Sequence, residues 1–591
     1  MKKRTGLSTL GPAKAQPLGR IREVLDRTRE KWCKGHVPYA GFVEGFRNGR
    51  LNNFAGGETW GKAVRAACLF FRYSQDPELG ETLQQTVADI LSCQKDNGSI
   101  SCANVEDQPD GPGGDLWERK YVMLALEHYL SDVRDDPAVL ASLIHQADCL
   151  IQQIGPPPKT DITAGGWSPN HLESSTILEP IMRLYQRTGE QRFLDFAAYI
   201  VSQGGCEGYD LIDEALRKVP PHKMAGGIYP KAYEMLSFFE GVLEYYHVTG
   251  DERCCRAAIA LFDSVCRHEI TITGSAGGDA PYYEHGECWD NTAIEQANPE
   301  LNRTMETCVG VTWMKYCMQI YRLTGESRPA DFVERYVYNA LMGAAQPSGV
   351  KFSYMNRLNG VKSDPNGWGV YVKNAGTFTC CDLNGPMGLA CIPHFAVTSA
   401  VHGPTVNLFI PGTWQIETPT GQTLGIVIEG NYPVSPDVQI TCRLPKPETF
   451  GLRLRIPAWS QHSKIEVQGK NQTPPPGEYA CLSREWKSGD TIKMTFEMRA
   501  RAIHSEKYNR VAVVRGPVVF ARDENMDRDF DKPVRLVEKD GFIELQEEKP
   551  LYDETWQQIR VPTESGHIRM VDYASINNWN GLKTCTWMPV E

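Results

Sequence analysis

The sequence predicts a multidomain protein: an all-α (α/α)6 barrel over residues 1–396, followed by antiparallel β-sandwich structure. Three observations predict it. One turn recurs, Tyr-x-x-Thr-Gly followed by an acid, at Tyr185–Glu190, Tyr246–Asp251 and Tyr321–Glu326, with weaker copies at Tyr73 and Tyr129. The copies stand roughly 55–75 residues apart, which is the spacing of a repeated supersecondary unit. An apolar, aromatic-rich helical pattern precedes each copy and an amphipathic one follows it. Beyond about residue 397 the pattern changes to short β-like runs separated by Gly and Pro.

Each turn joins two helices into a hairpin. Gly189, Gly250 and Gly325 stand where a C-cap is needed, and the acid that follows opens the next helix. Five inner helices are expected near 58–73, 116–130, 171–187, 229–248 and 306–323, and a sixth after Cys381. The outer partner of the sixth is the segment Leu18–Cys33, which closes the ring. Thr405–Ile410, Leu424–Glu429, Val438–Arg443, Leu452–Ile456 and Thr491–Phe496 read as strands of a sandwich over 397–500. Residues 501–591, beginning with the run Val511–Ala521, are expected to complete or extend it.

A chain of 591 residues exceeds one ordinary core, so several domains are expected. The formal net charge of −11 is not the basic footprint of a nucleic-acid binder. No run of 18 apolar residues is present to span a membrane. The basic start Met1–Arg4 is followed by a Gly/Pro/Ser-rich stretch and not by an apolar core, so it does not read as a secretory signal. A cytoplasmic location is therefore expected, or a periplasmic one if a leader has been removed. Most of the 18 cysteines, such as Cys68, Cys149, Cys266 and Cys317, fall in helical patterns as small buried hydrophobes.

A helical ring has two mouths, and the loops that enter the inner helices open on the same one. Those loops concentrate aromatic and ionisable residues. They carry Glu58 and Trp60; then Asp115, Trp117, Glu118 and Lys120; then Trp167, His171 and Glu173; then Tyr229 and Lys231. The fifth and longest carries Tyr283, Glu284, His285, Glu287 and Asp290. Sugars need flat faces to stack on and carboxylates to bond their hydroxyls, so this convergence suits a glycan. First-turn acids are also ordinary helix chemistry, so the weight lies on the convergence and not on any one residue.

The sharper signal is Glu306 and Cys308 together with the adjacent Cys380 and Cys381. Three thiolates and a carboxylate form a complete tetrahedral ligand set for Zn2+. Such a site either activates a sulfur nucleophile or pins two loops together structurally, and the alternative is that the four residues hold no metal at all. A glycosidase also needs a general acid, and in a retaining enzyme it stands ~5–5.5 Å from the nucleophile. Glu287 is the best placed for that role, with Glu284 and Asp290 as rivals.

The ring, the Gly286-Glu287 loop, Glu306-Thr307-Cys308, Cys380-Cys381 before Asn384 and the trailing sandwich together resemble glycoside hydrolase family 127, over nearly the whole chain. Its best-known members are β-L-arabinofuranosidases. The resemblance implies Glu306, Cys308, Cys380 and Cys381 as zinc ligands, Cys380 as nucleophile and Glu287 as acid/base. It implies double displacement with retention, a glycan substrate and frequent homodimers. The sugar pocket departs from the family's histidine-rich pattern. The matching loops show Glu118 and Lys120, His171, and Tyr229 with Lys231, beside the aromatic candidates Trp60, Trp117 and Tyr283. Lys120 or Lys231 would pair with a substrate carboxylate if the terminal sugar is acidic.

Two other readings compete with the retaining exo-glycosidase. Helical rings also house sugar epimerases and lyases, which would not need Cys380. A non-catalytic glycan-binding protein with a structural zinc would show no turnover at all.

Overall fold

The computed structural model describes residues 14–48, 56–111, 114–280, 283–301, 304–364, 369–399, 403–551, 554–576 and 581–591, with the backbone alone for 279, 280, 283–286 and 364. The six inner helices are Gly56–Ser74, Asp115–His128, Leu178–Thr188, Ala232–Thr249, Thr307–Thr324 and Cys380–Ala396. Each packs on the next and the sixth packs on the first, so the ring closes. The outer helices are Pro77–Leu91, Pro137–Gln153, Gln191–Ser202, Glu252–His268 and Arg328–Tyr336. The N-terminal helix Gly19–Thr28 packs on the sixth inner helix, as the repeat requires.

The local signals act as expected. Gly189, Gly250 and Gly325 cap their helices at φ 72°, 73° and 68°, a left-handed conformation that costs glycine little. Asp76 and Asp136 cap two outer helices through their side chains, each followed by a proline at the first helical position. The third inner helix departs from the expected continuous run. It forms as a turn Leu172–Ser175 and then Leu178–Thr188. Pro180 cannot donate to residue 176, and Thr176 turns its hydroxyl onto the Glu173 carbonyl at 2.5 Å, so the chain tightens between them. Gly57 and Gly61 let the first two inner helices touch: a Cβ at either would lie 2.6 Å or less from the backbone oxygen of Glu118 or Tyr121.

Residues 397–498 form the sandwich. One sheet runs in the order Lys14–Pro17, Gly412–Glu417, Thr423–Gly430, Asp437–Arg443, Thr491–Thr495, Lys464–Val467, Lys470–Gln472. The other holds Val397–Thr398, Thr405–Val406, Glu448–Arg455 and Tyr479–Trp486. The edge strand of the first sheet comes from the N-terminus, with Lys14 opposite Gln415 and Pro17 opposite Gly412. The segment assigned from sequence to the helical part thus begins as a strand of the sandwich.

The last ninety residues do not complete that sandwich. They build a separate antiparallel sheet with its own apolar core around Val513, Phe520, Ile559 and Met570. This sheet also reaches the ring: Asn359–Val361, between the fifth outer and sixth inner helices, pairs with Lys583–Cys585. Tyr573 donates to the carbonyls of Asn356 and Arg357 at 3.0 Å each, alternatives for one hydroxyl hydrogen. The C-terminal sheet therefore holds the chain that leads into the sixth inner helix.

A buried charge joins ring and sandwich. Arg455, 0% exposed, pairs with Asp331 and Glu334 of an outer helix and donates to the Asn407 carbonyl at 2.6 Å. Arg455→Met strands two carboxylates in that interface, so it is expected to cost about 3–5 kcal/mol. A lowered midpoint in thermal unfolding would show it, and an unchanged midpoint would refute it.

Candidate active site

Two helix N-termini bring the metal-type residues together. Glu306 is the N-cap of Thr307–Thr324 and Cys308 lies in its first turn; Cys380 and Cys381 open Cys380–Ala396. The second terminus is fixed by a capping box. Thr379 Oγ1 accepts from Asp382 N at 3.1 Å, and Asp382 Oδ2 accepts from Thr379 N at 3.0 Å. Asp382 also accepts from Phe352 N at 2.9 Å and pairs with Lys351 at 3.0 Å. Thr307 N donates to Tyr354 O at 3.1 Å, which ties the first terminus to the same segment.

Cys380 Sγ lies 3.6 Å and Cys381 Sγ 3.5 Å from Glu306 Oε1; Cys381 Sγ lies 3.5 Å from Cys308 Sγ. One ligand atom from each of the four lies within 4.8 Å of the others, a cluster that could hold a metal ion. Glu306 Oε2 is buried with no hydrogen-bond partner, a donor position open to a cation. Burial and the neighbouring Glu287 and Cys380 push the Glu306 carboxyl well up. Burial also raises Cys308, but hydrogen bonds from Cys380 and Cys381 and the Lys62 ammonium outweigh it and bring the thiol down to about 7. Cys380 and Cys381 are pushed well up, the first foremost by its hydrogen bond with Cys308, the second foremost by burial. The donor set therefore fits a divalent cation of the zinc kind, which would let all four ionise together. Of the four, Cys380 alone is not fully buried.

Glu287 stands on the last strand of a hairpin, Tyr283–Cys288, whose Cys288 bridges to Lys231. Lys231 pairs with Glu287 Oε2, and the Tyr354 hydroxyl donates to Glu287 Oε1, so both carboxyl oxygens are held. Burial, foremost, and the negative charges of Glu287, Cys380 and Glu306 push the Tyr354 hydroxyl well up. Lys231 faces Glu234 as well, at 3.7 Å.

The other expected residues divide. Trp117 reaches the site indirectly: its Nε1 donates to Glu58 Oε2 at 2.9 Å, and Glu58 holds Lys62 at 2.5 Å. Lys120 is buried with its ammonium over the rings of Trp117 and Tyr121, at 4.5 and 4.9 Å, and burial brings it down to about 7. Tyr229 lies in the wall beneath Lys231 and against Cys288. Glu118 Oε2 accepts from Gly57 N at 3.4 Å, at the start of the first inner helix. His171 holds its own loop, with Nδ1 3.0 Å from Thr163 O. The side chain of Tyr283 lies outside the described residues. Trp60 is a correction. It is 0% exposed and its Nε1 donates to Thr86 of an outer helix at 2.9 Å, so it faces away from the mouth. Helical geometry decides this, because Glu58 and Lys62 occupy the inward face and residue 60 falls opposite.

Two residues escape a sequence reading. Lys62 lies 3.8 Å from Cys308 Sγ, and its signal is a lysine one turn after Glu58 on the same face of an inner helix. Tyr354 sits on an irregular segment with no local signature.

The fold and this site define a glycoside hydrolase built on a helical ring. The models of the β-L-arabinofuranosidase family GH127 match residues 22–394 (catalytic domain) and 404–498 (middle domain), and the chain belongs to that family. It is similar to the non-reducing end β-L-arabinofuranosidase of Bifidobacterium longum subsp. longum, 24% identical over 524 residues, 78% of this chain and 74% of that one. The crystal structure of a GH127 β-L-arabinofuranosidase from Geobacillus stearothermophilus T6 superposes with a TM-score of 0.77 at 19% identity, covering 98% of this chain and 99% of that one. A second GH127 β-arabinofuranosidase structure gives 0.75 at 18% identity, covering 99% of each. Among the described residues no helix is long and apolar enough to cross a membrane. The eighteen cysteines are all free.

Proposed function

We propose that the protein is a retaining exo-glycosidase that removes a terminal L-arabinofuranose-like sugar, with Cys380 as nucleophile and Glu287 as acid/base. The observation that carries this reading is the burial pattern: Cys380 is the one of the four that is not fully buried, and Tyr354 donates to Glu287 through its hydroxyl while its carbonyl accepts from Thr307, between Glu306 and Cys308. Glu306, Cys308, Cys380 and Cys381 would hold Zn2+, which when bound supplies the charge that keeps the sulfurs deprotonated.

Cys380 Sγ forms a bond to the anomeric carbon as the bond to the leaving oxygen breaks, and that oxygen takes its proton from Glu287. The Glu287 carboxylate then takes a proton from water, whose oxygen displaces the sulfur and restores the original configuration. Lys231 and Tyr354 fix the direction of the carboxyl through both stages. A neutral terminal sugar suits the pocket better than an acidic one. Lys231 already faces Glu287 and Glu234, and Lys120 lies within the field of Glu179 and Glu240.

Glu287→Gln tests the assignment. With an aryl β-L-arabinofuranoside, turnover is expected to fall about 100- to 10,000-fold. The sugar should accumulate on Cys380, visible by mass spectrometry of the intact protein and its peptides. Full turnover, or a label on any other residue, would overturn the reading. Inverted product in the proton NMR spectrum would do so as well.

A further inference from the structure

The loop before the third inner helix presents a tryptophan to the rim of the mouth. Trp167 is 38% exposed, among the few large apolar side chains left open to solvent. It is not a loose side chain on a mobile loop. Glu173, 0% exposed, accepts from Trp167 N, from Ser168 N at 2.9 Å and from the Ser168 hydroxyl. Ser174 donates to Gly165 O at 2.8 Å, and Asn170 donates to Tyr229 O at 3.1 Å, which ties this loop to the next one around the mouth. Gly166 sits at φ 148°, and a Cβ there would fall 2.2 Å from Glu173 Oε1, so the loop closes directly over that carboxylate. The buried network fixes an apolar ring where water can reach it.

Its position relative to the chemistry is defined. The Lys231 ammonium stands 5.0 Å from the Trp167 ring centre and is itself paired with Glu287. Trp117 meets the ring edge-on at 6.3 Å and 78°. A general acid delivers its proton to the oxygen that departs, so the departing group must lie on the Glu287 side of the scissile bond. Lys231, which approaches both, puts Trp167 on the Glu287 side.

Resting on the glycosidase reading above, we propose that Trp167 is the platform for the leaving-group sugar, a neutral ring whose C–H face lies on the indole. It makes the enzyme prefer oligosaccharides over glycosides with small leaving groups. Trp167 acts by positioning and takes no part in the proton transfers.

The test compares kcat/KM for a β-L-arabinofuranosyl disaccharide with that for the methyl β-L-arabinofuranoside in full-length enzyme. For Trp167→Ala the ratio is expected to fall about tenfold, with Trp167→Phe intermediate because it keeps a ring. A second measurement bypasses the first step: partition of the sugar between water and an added acceptor sugar should shift toward water in Trp167→Ala. A ratio that does not change, or equal losses on both substrates with unchanged partition, would overturn the platform. Activity that survives replacement of Cys380 would instead overturn the glycosidase mechanism, so the two failures are told apart.

Discussion

Cys380→Ala is expected to lower kcat by at least about 10,000-fold while leaving the fold intact. In the proposed mechanism the sulfur is the atom that bonds to the anomeric carbon, and alanine offers nothing in its place. The substitution also removes one of the four proposed metal ligands, so loss of activity alone would not separate a nucleophile from a ligand. Glu306, Cys308 and Cys381 remain, and all three are buried in the cluster. Metal content by mass spectrometry, read alongside kcat, separates the roles. A variant that keeps its metal but not its turnover identifies the nucleophile. A sugar-linked haloacetamide should label Cys380 in the unmodified protein and leave Cys381 untouched, since Cys381 is 0% exposed. Turnover within tenfold of the unmodified enzyme would dismiss Cys380 as nucleophile.

Lys62→Met is expected to weaken metal retention about 10- to 100-fold, the range found for residues that support metal ligands from behind. One carboxylate and three thiolates carry four negative charges, and a divalent cation offsets only two of them. The remainder sits in a buried site, where an uncompensated charge is costly. Lys62 is 1% exposed with its ammonium 3.8 Å from Cys308 Sγ. Its orientation is set by Glu58 at 2.5 Å and by the rings of Tyr233 and Tyr121 at 4.6 and 5.2 Å. Methionine keeps the length and apolar volume of the side chain while deleting the charge. Competition with a coloured chelator, in the absence of substrate, reads the affinity directly. Equal chelator concentrations at half-loss for both proteins would show that Lys62 serves packing alone.

The helical repeat could be read because its signals are local. A glycine at a helix C-cap and an acid at the next N-terminus depend on residues one turn away, and Gly189, Gly250 and Gly325 behave as their sequence context requires. The break in the third inner helix was hidden, since Pro180 is tolerated at a helix start and the pattern around it remains apolar. The N-terminal strand was hidden for a different reason. Lys14–Pro17 is only four residues long and pairs with a partner some four hundred residues away, so nothing adjacent marks it. The C-terminal sheet recruits Asn359–Val361 from the ring, a long-range pairing that no periodicity encodes.

The site divides in the same way. Glu306, Cys308, Cys380 and Cys381 could be read from sequence because metal-type side chains are rare and were clustered at two helix starts. That determined the donor set and the ring that carries it. Which cysteine is left incompletely buried, which tryptophan turns outward, and which lysine faces the thiolates rather than the carboxyl of Glu287 were decided only when the chain closed on itself. Trp60 and Trp167 look alike as mouth-loop aromatics, yet one bonds an outer helix and the other lies on the rim. The physical reason is that side-chain direction depends on helical phase and on distant partners, and burial is a property of the assembled ring and not of any segment.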